Sequence, residues 1–141
     1  MADLTITAAN IAISDTGDAK LAIAGAAIAI GDLVFKSSSG SYELVDINAI
    51  GTAPADADGS EYGLALSSTA ASGQPFTIAK DGATVDFGSI LTTNKTYYGS
   101  ANAGKISDTA PASGEFGVVV GLATDADTLP LKFHGSGVAT A

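Results

Sequence analysis

Two carboxylate clusters have the residue types and spacing for chemistry: Asp56-Ala57-Asp58-Gly59-Ser60-Glu61 and Asp125-Ala126-Asp127. Alternating oxygen ligands around a glycine start a calcium loop, which makes Asp56, Asp58 and Glu61 weak metal candidates. The length and distal bidentate glutamate of an EF-hand are missing, and a solvated acidic turn is the plainer reading. Carboxylates on separate loops also serve glycosidases as an acid and base pair, but nothing in the sequence brings these two clusters together. Nucleophilic catalysis needs a nucleophile, a base and an orienting group. His134 is the single histidine, beside Gly135 near the C-terminus, and reads as a surface or tail residue. No serine lies in a G-x-S-x-G turn, and no G-K-[ST] phosphate cradle occurs. No enzyme and no cofactor is expected.

Composition narrows the partners. Fifteen acids face six lysines and no arginine, a net charge of -9, and cysteine is absent. Nucleic-acid binding draws on cations that displace phosphate counterions and on arginine that reads base edges, so direct nucleic-acid contact is not expected. The most apolar run, Leu21–Ile30, is ten residues long and ends at Gly31-Asp32. A spanning helix needs about 20, so no membrane insertion is expected. The start Met1-Ala2-Asp3-Leu4 lacks the basic and apolar regions of a secretory signal, which points to synthesis in a cytoplasm. Of the apolar residues 27 are alanine, and tryptophan is absent. Such a core buries little area per residue, and a thin core is often supplemented by association between subunits.

The elements that would position any site read as strands. In LAIAGAAIAIGDLVF the large residues alternate (Leu21, Ile23, then Ile28, Ile30, then Leu33, Phe35) with alanine between most of them. That is the strand period, with one bulky and one small face, one for the core and one for a subunit contact, and parity shifts at Gly25-Ala26-Ala27 and Gly31-Asp32. A helix is the competitor, weakened by two interior glycines. Further strands fall at 41–45, 61–67, 76–79, 83–87, 96–98, 117–123 and 128–133. Lys80-Asp81-Gly82 is a hairpin signal, Ser37–Gly40 a turn, 52–60 a polar loop, and 67–73 leaves room for a helical turn. In Tyr97-Tyr98 the two rings face opposite sides, one of them into the core. Ile28–Val34 aligns with Val85–Leu91, and Gly59–Leu66 with Ser113–Val120, which is either a pair of related β units or chance similarity in low-diversity sequence. The expected class is all-β. Residues 1–20 form an arm or first strand, 21–133 the β-rich domain, and 134–141 a loose tail.

The runs Ile-Ala-Ile-Gly-Asp-Leu-Val-Phe … Gly-Ser-Tyr-Glu-Leu-Val-Asp, Tyr-Gly-Leu-Ala-Leu-Ser-Ser-Thr-Ala-Ala-Ser-Gly-Gln-Pro-Phe-Thr-Ile-Ala and Gly-Ser-Ile-Leu-Thr-Thr-Asn-Lys-Thr-Tyr-Tyr-Gly resemble tailed-phage head decoration proteins, also called capsid cement or head-fibre-like proteins. The resemblance covers roughly Ile23 to Phe133. It implies a small β-barrel or β-tulip domain with an extended N-terminal arm. It also implies a homotrimer on the outer surface of an expanded icosahedral head, assembled in the host cytoplasm, bridging major capsid proteins and lacking enzymatic activity. On that view Leu4, Ile6, Ile11 and Ile13 of the arm are capsid-contact candidates, by strand addition. Gly25, Ala26 and Ala27 are subunit-contact candidates, because small residues allow close backbone approach. The rival readings are a tail-fibre or spike module, a carbohydrate-binding module with exposed coplanar aromatics, and a small hydrolase using the aspartates.

Overall fold

The computed structural model describes residues 3–13, 16–37, 40–47, 62–111 and 116–139, with only the backbone described at 16, 116 and 135–139. The expected all-β class holds. Twelve strands are present among the described residues: β1 Ala12–Ile13, β2 Ala19–Ile23, β3 Leu33–Lys36, β4 Tyr42–Leu44, β5 Tyr62–Ala65, β6 Pro75–Ala79, β7 Thr84–Asp86, β8 Thr96–Gly99, β9 Ile106–Ser107, β10 Phe116–Leu122, β11 Thr128–Pro130 and β12 His134–Ala139. They form three sheets, ordered β2-β6-β5-β3-β4, β12-β10-β8-β9 and β1-β7-β11. Every strand pair is antiparallel.

The main core lies where the three sheets meet. Leu33, Phe35, Tyr62 and Leu64 enter it from the five-stranded sheet, Val85 and Leu129 from the three-stranded one, and Tyr97, Ile106, Val118 and Val120 from the four-stranded one. On its other face the five-stranded sheet carries a smaller cluster of Ala22, Ala24, Ile28, Val34, Tyr42, Ala65, Phe76 and Ile78. The central strands β3 and β5 are therefore apolar without alternation, because both their faces are covered.

The expected barrel is not what forms. The five-stranded sheet curls until Ala24 meets Tyr42 in one isolated parallel bridge, with Gly25 N–H donating to Tyr42 O at 2.7 Å. A single bridge is not a ladder, and among the described residues none of the three sheets closes on itself. The Lys80-Asp81-Gly82 turn forms, with Gly82 at φ +93 and Ala83 N–H bonded to Lys80 O, but it makes no hairpin. Its flanks β6 and β7 belong to different sheets. The turn is tied instead to the chain after β11: Phe133 N–H donates to Asp81 Oδ1 at 2.7 Å, and Gly82 N–H to Leu131 O at 2.9 Å. Within 67–73 no helical turn forms; Thr69 bridges Ile28.

Of the two alternatives for the N-terminal segment, an arm or a first strand, a first strand forms, and the extended arm does not. Leu4, Ile6, Ile11 and Ile13 pack against the main core, Leu4 N–H bonds Ile106 O, and β1 pairs with β7. A boundary at residue 20 cuts β2. The tail expected to be loose is β12, antiparallel to β10 from His134↔Val119 to Ala139↔Phe116 across a register shift. Small polar residues fill no core, but their backbone pairs as well as any other. The repeat carries into the backbone at one point: Gly31 and Gly88 are both left-handed, at φ +90 and +74. A β-carbon at Gly31 meets Ile6, and one at Gly88 meets Asn10, so each seats a residue of the N-terminal segment. The units otherwise differ: Val85 lies in a strand ladder, whereas its counterpart Ile28 makes only a bridge.

Candidate interaction surface

Strand β2 leaves the bulky one of its two faces exposed. Ala22 and Ala24, at 5% and 1% exposure, fill the smaller cluster, while Leu21 is 72% exposed and Ile23 45%. β2 is the outermost strand of its sheet. Leu21 and Ile23 join neither core cluster, whereas Ala22 and Ala24 belong to the smaller one. Leu21 and Ile23 are two of three exposed large hydrophobics among the described residues, the third being Leu122.

Lysines stand beside this row. Cross-strand register puts Lys20 opposite Ile78, and Lys36 opposite Tyr42, on the face that carries the smaller cluster. The Lys20 ammonium lies 5.8 Å from the centre of the Tyr42 ring, within cation–π range. Between the outer edge of β2 and the turn joining β3 to β4 runs a groove of about 200 Å³, lined by Lys20, Leu21, Ile23, Lys36, Gly40 and Tyr42. No carboxylate lines it among the described residues. Neither lysine forms an ion pair among those residues, so an acidic chain has a small cationic, apolar strip here. Exposed surface leucine contributes little to folding. Leu21→Thr is expected to leave the denaturation midpoint within about 0.5 kcal/mol of the parent.

The residues singled out in the sequence are placed elsewhere. Leu4, Ile6, Ile11 and Ile13 are half-buried and pack against the main core of their own domain. Gly25, Ala26 and Ala27 form a turn held from within. A β-carbon at Gly25 meets Glu43 and Ser41, Thr69 Oγ1 donates to Ala26 O at 3.3 Å, and Ala27 alone is exposed. Asp56, Asp58 and Glu61 lie outside the described residues. Asp125 caps its own loop, accepting from the N–H groups of Asp127 and Thr128 at 2.8 Å, and these bonds hold its carboxyl below the usual range. Asp127 accepts from the Ser89 hydroxyl. Asp125 thus serves as a turn residue, and Asp127 ties the loop to Ser89 after β7. His134 is exposed on β12. Tyr97 is buried, its hydroxyl accepting from Thr92 N–H at 2.8 Å, and Tyr98 faces the other way, half-buried. No cluster of three metal-ligating side chains occurs among the described residues.

A second cavity, about 210 Å³, lies between the N-terminal segment and the chain before β3, lined by Leu4, Ile6, Gly31, Asp32 and Lys105 among others. Asp32 is 8% exposed. Its Oδ2 accepts from Ala29 N–H at 2.9 Å, and Lys105 Nζ stands 3.9 Å from Oδ1. Burial pushes this carboxyl above its ordinary value, although the Ala29 bond and Lys105 both favour the ionised form. A raised carboxyl contributes stability that is whole below the ordinary carboxylate range and is lost as pH rises through the raised value. Asp32→Asn is therefore expected to raise the denaturation midpoint at pH 7 and to leave it unchanged near pH 3. Asp108, lowered chiefly by its hydrogen bond from Lys95 at 3.1 Å, works in the opposite sense: its contribution is present at neutral pH and lost on acidification.

Sequence reasoning missed Lys20 and Lys36, and it gave this run one bulky and one small face without deciding which of them is covered. The available signal was a lysine immediately before the alternating run, which marks strands left open at an edge. Compared with models of protein families and with curated proteins, the chain matches none.

Proposed function

We propose that this chain is a structural virion protein. It decorates an expanded icosahedral phage head from the outside and stabilises it by bridging major capsid proteins, as a homotrimer assembled in the host cytoplasm. The observation that carries the reading is the exposed Leu21/Ile23 row on an open strand edge, flanked by Lys20 and Lys36, which form no ion pair among the described residues, on an otherwise acidic domain. Exposed apolar side chains rimmed by charge are the raw material of a protein contact. The resemblance to head decoration proteins supplies the identity of the partner. The tight turns of the carboxylates and the burial of most described aromatic rings fit a binding role better than catalysis or a sugar platform.

Gold-labelled antibody on purified virions tests the proposal. Label over the whole head is the expected result, and light scattering of the pure chain then gives three subunits per particle. Label confined to the tail tip replaces the reading with a fibre or spike module. Absence of label withdraws it.

A further inference from the structure

The outer edge of β2 carries more information than an apolar patch does. On that side the one backbone bridge among the described residues joins Ala24 to Tyr42, so Ala19–Ile23 has no strand partner there among those residues. Ala24 donates its N–H to Gln74 O, toward β6. Peptide directions alternate along a strand, so the N–H and C=O of Leu21 point to the open side. The two faces beside this edge differ. One shows Leu21 and Ile23; the other shows Lys20 and Lys36 around the Tyr42 ring.

We infer that this edge is a docking site for one extended segment of a partner protein, added as a strand beside β2, in which apolar residues alternate with carboxylates. A strand laid there places successive side chains on opposite faces. Its apolar residues cover Leu21 and Ile23, and its carboxylates reach Lys20 and Lys36. Main-chain bonds to the open edge supply affinity, and the alternation supplies selectivity. The absence of a lining acid in a chain with fifteen of them makes the strip complementary to an acidic occupant. It also disfavours a basic occupant, since like charges in contact reject a partner. The inference rests on the decoration reading only for the source of the strand, a capsid subunit.

The test uses the full chain, isotope-labelled, and a capped synthetic peptide of alternating valine and glutamate, about nine residues long. Amide shifts centred on Lys20–Ile23 are expected, weakening as salt rises. The double variant Lys20→Glu/Lys36→Glu is expected to lose binding by about tenfold or more and to prefer an alternating valine–lysine peptide. Both positions are exposed, and retained spectral dispersion certifies the fold of the variant. Four results overturn the inference: no shift at millimolar peptide, shifts away from β2, equal response to both peptides, or the same shifts on concentrating the chain alone with a particle mass that falls in Leu21→Asp. The last makes a second copy the occupant. Peptide binding without head label removes the decoration reading and keeps the docking edge; head label without peptide binding does the reverse.

Discussion

Gly121→Ala is expected to destabilise the fold by about 3 kcal/mol, the upper end of the range for overpacking. Gly121 is buried in β10 opposite Tyr97, next to the register shift after Val119. A β-carbon there overlaps the backbone oxygen of Pro130 and lies 3.3 Å from Leu129 Cδ1. The obstacle is the main chain of β11, which is fixed by pairing with β7 and by the Lys132 N–H bond to Val120 O at 2.9 Å. Relief requires the three-stranded and four-stranded sheets to move apart. Gly63 is the internal comparison. Its β-carbon meets Ile78 Cδ1 at 2.7 Å, the far end of a side chain that can swing away, and Ile78 Cβ at 3.1 Å, which a shift of a few tenths of an ångström relieves. Gly63→Ala is therefore expected to cost only about 1 kcal/mol. Urea denaturation of both variants checks the difference. Equal midpoints would mean that β10 and β11 do not approach at Gly121.

Phe87→Ala is expected to cost about 3–5 kcal/mol. Phe87 is 0% exposed and follows β7 at the junction of the sheets, its N–H held by Asp127 O at 2.7 Å. Its large neighbours in the main core belong to strands held by pairing in three sheets, which limits how far they can collapse into the cavity. A domain of this size has about 5–15 kcal/mol in total, so one such loss lowers Tm by roughly 10 °C or more. Calorimetry is the check. A shift of only a degree or two would place Phe87 at the margin of the core.

Local features were legible in the sequence because they depend on nearest neighbours. Strand-forming runs were recognisable at Leu33–Phe35, Tyr62–Ala65 and Thr96–Tyr98, and the opposition of Tyr97 to Tyr98 follows from strand period alone. Asp81-Gly82 turns the chain because glycine accepts φ +93. Which strands then pair is a different matter. β6 and β7 follow that turn into separate sheets because Asp81 and Gly82 bond the chain near Phe133, some fifty residues away. Equally, nothing in HGSGVA announces β12; its partner β10 does.

The candidate surface shows the same division. Alternation between Leu21, Ile23 and Ala22, Ala24 declares two faces and does not say which one is covered. Size favours the bulky face as core, and the fold decides otherwise. β2 lies at the outer edge of its sheet, where Leu21 and Ile23 join neither core cluster and Ala22 enters the smaller one. The sequence by itself determined the all-β class, the acidic balance and most turn positions, since these arise from composition, period and local backbone preference. Tertiary structure alone decided the pairing of strands, the docking of Leu4, Ile6, Ile11 and Ile13 onto their own domain, and the exposure of Leu21 and Ile23 beside Lys20 and Lys36. Those follow from contacts between residues far apart in the chain, where burial of one face is set by what happens to lie opposite it.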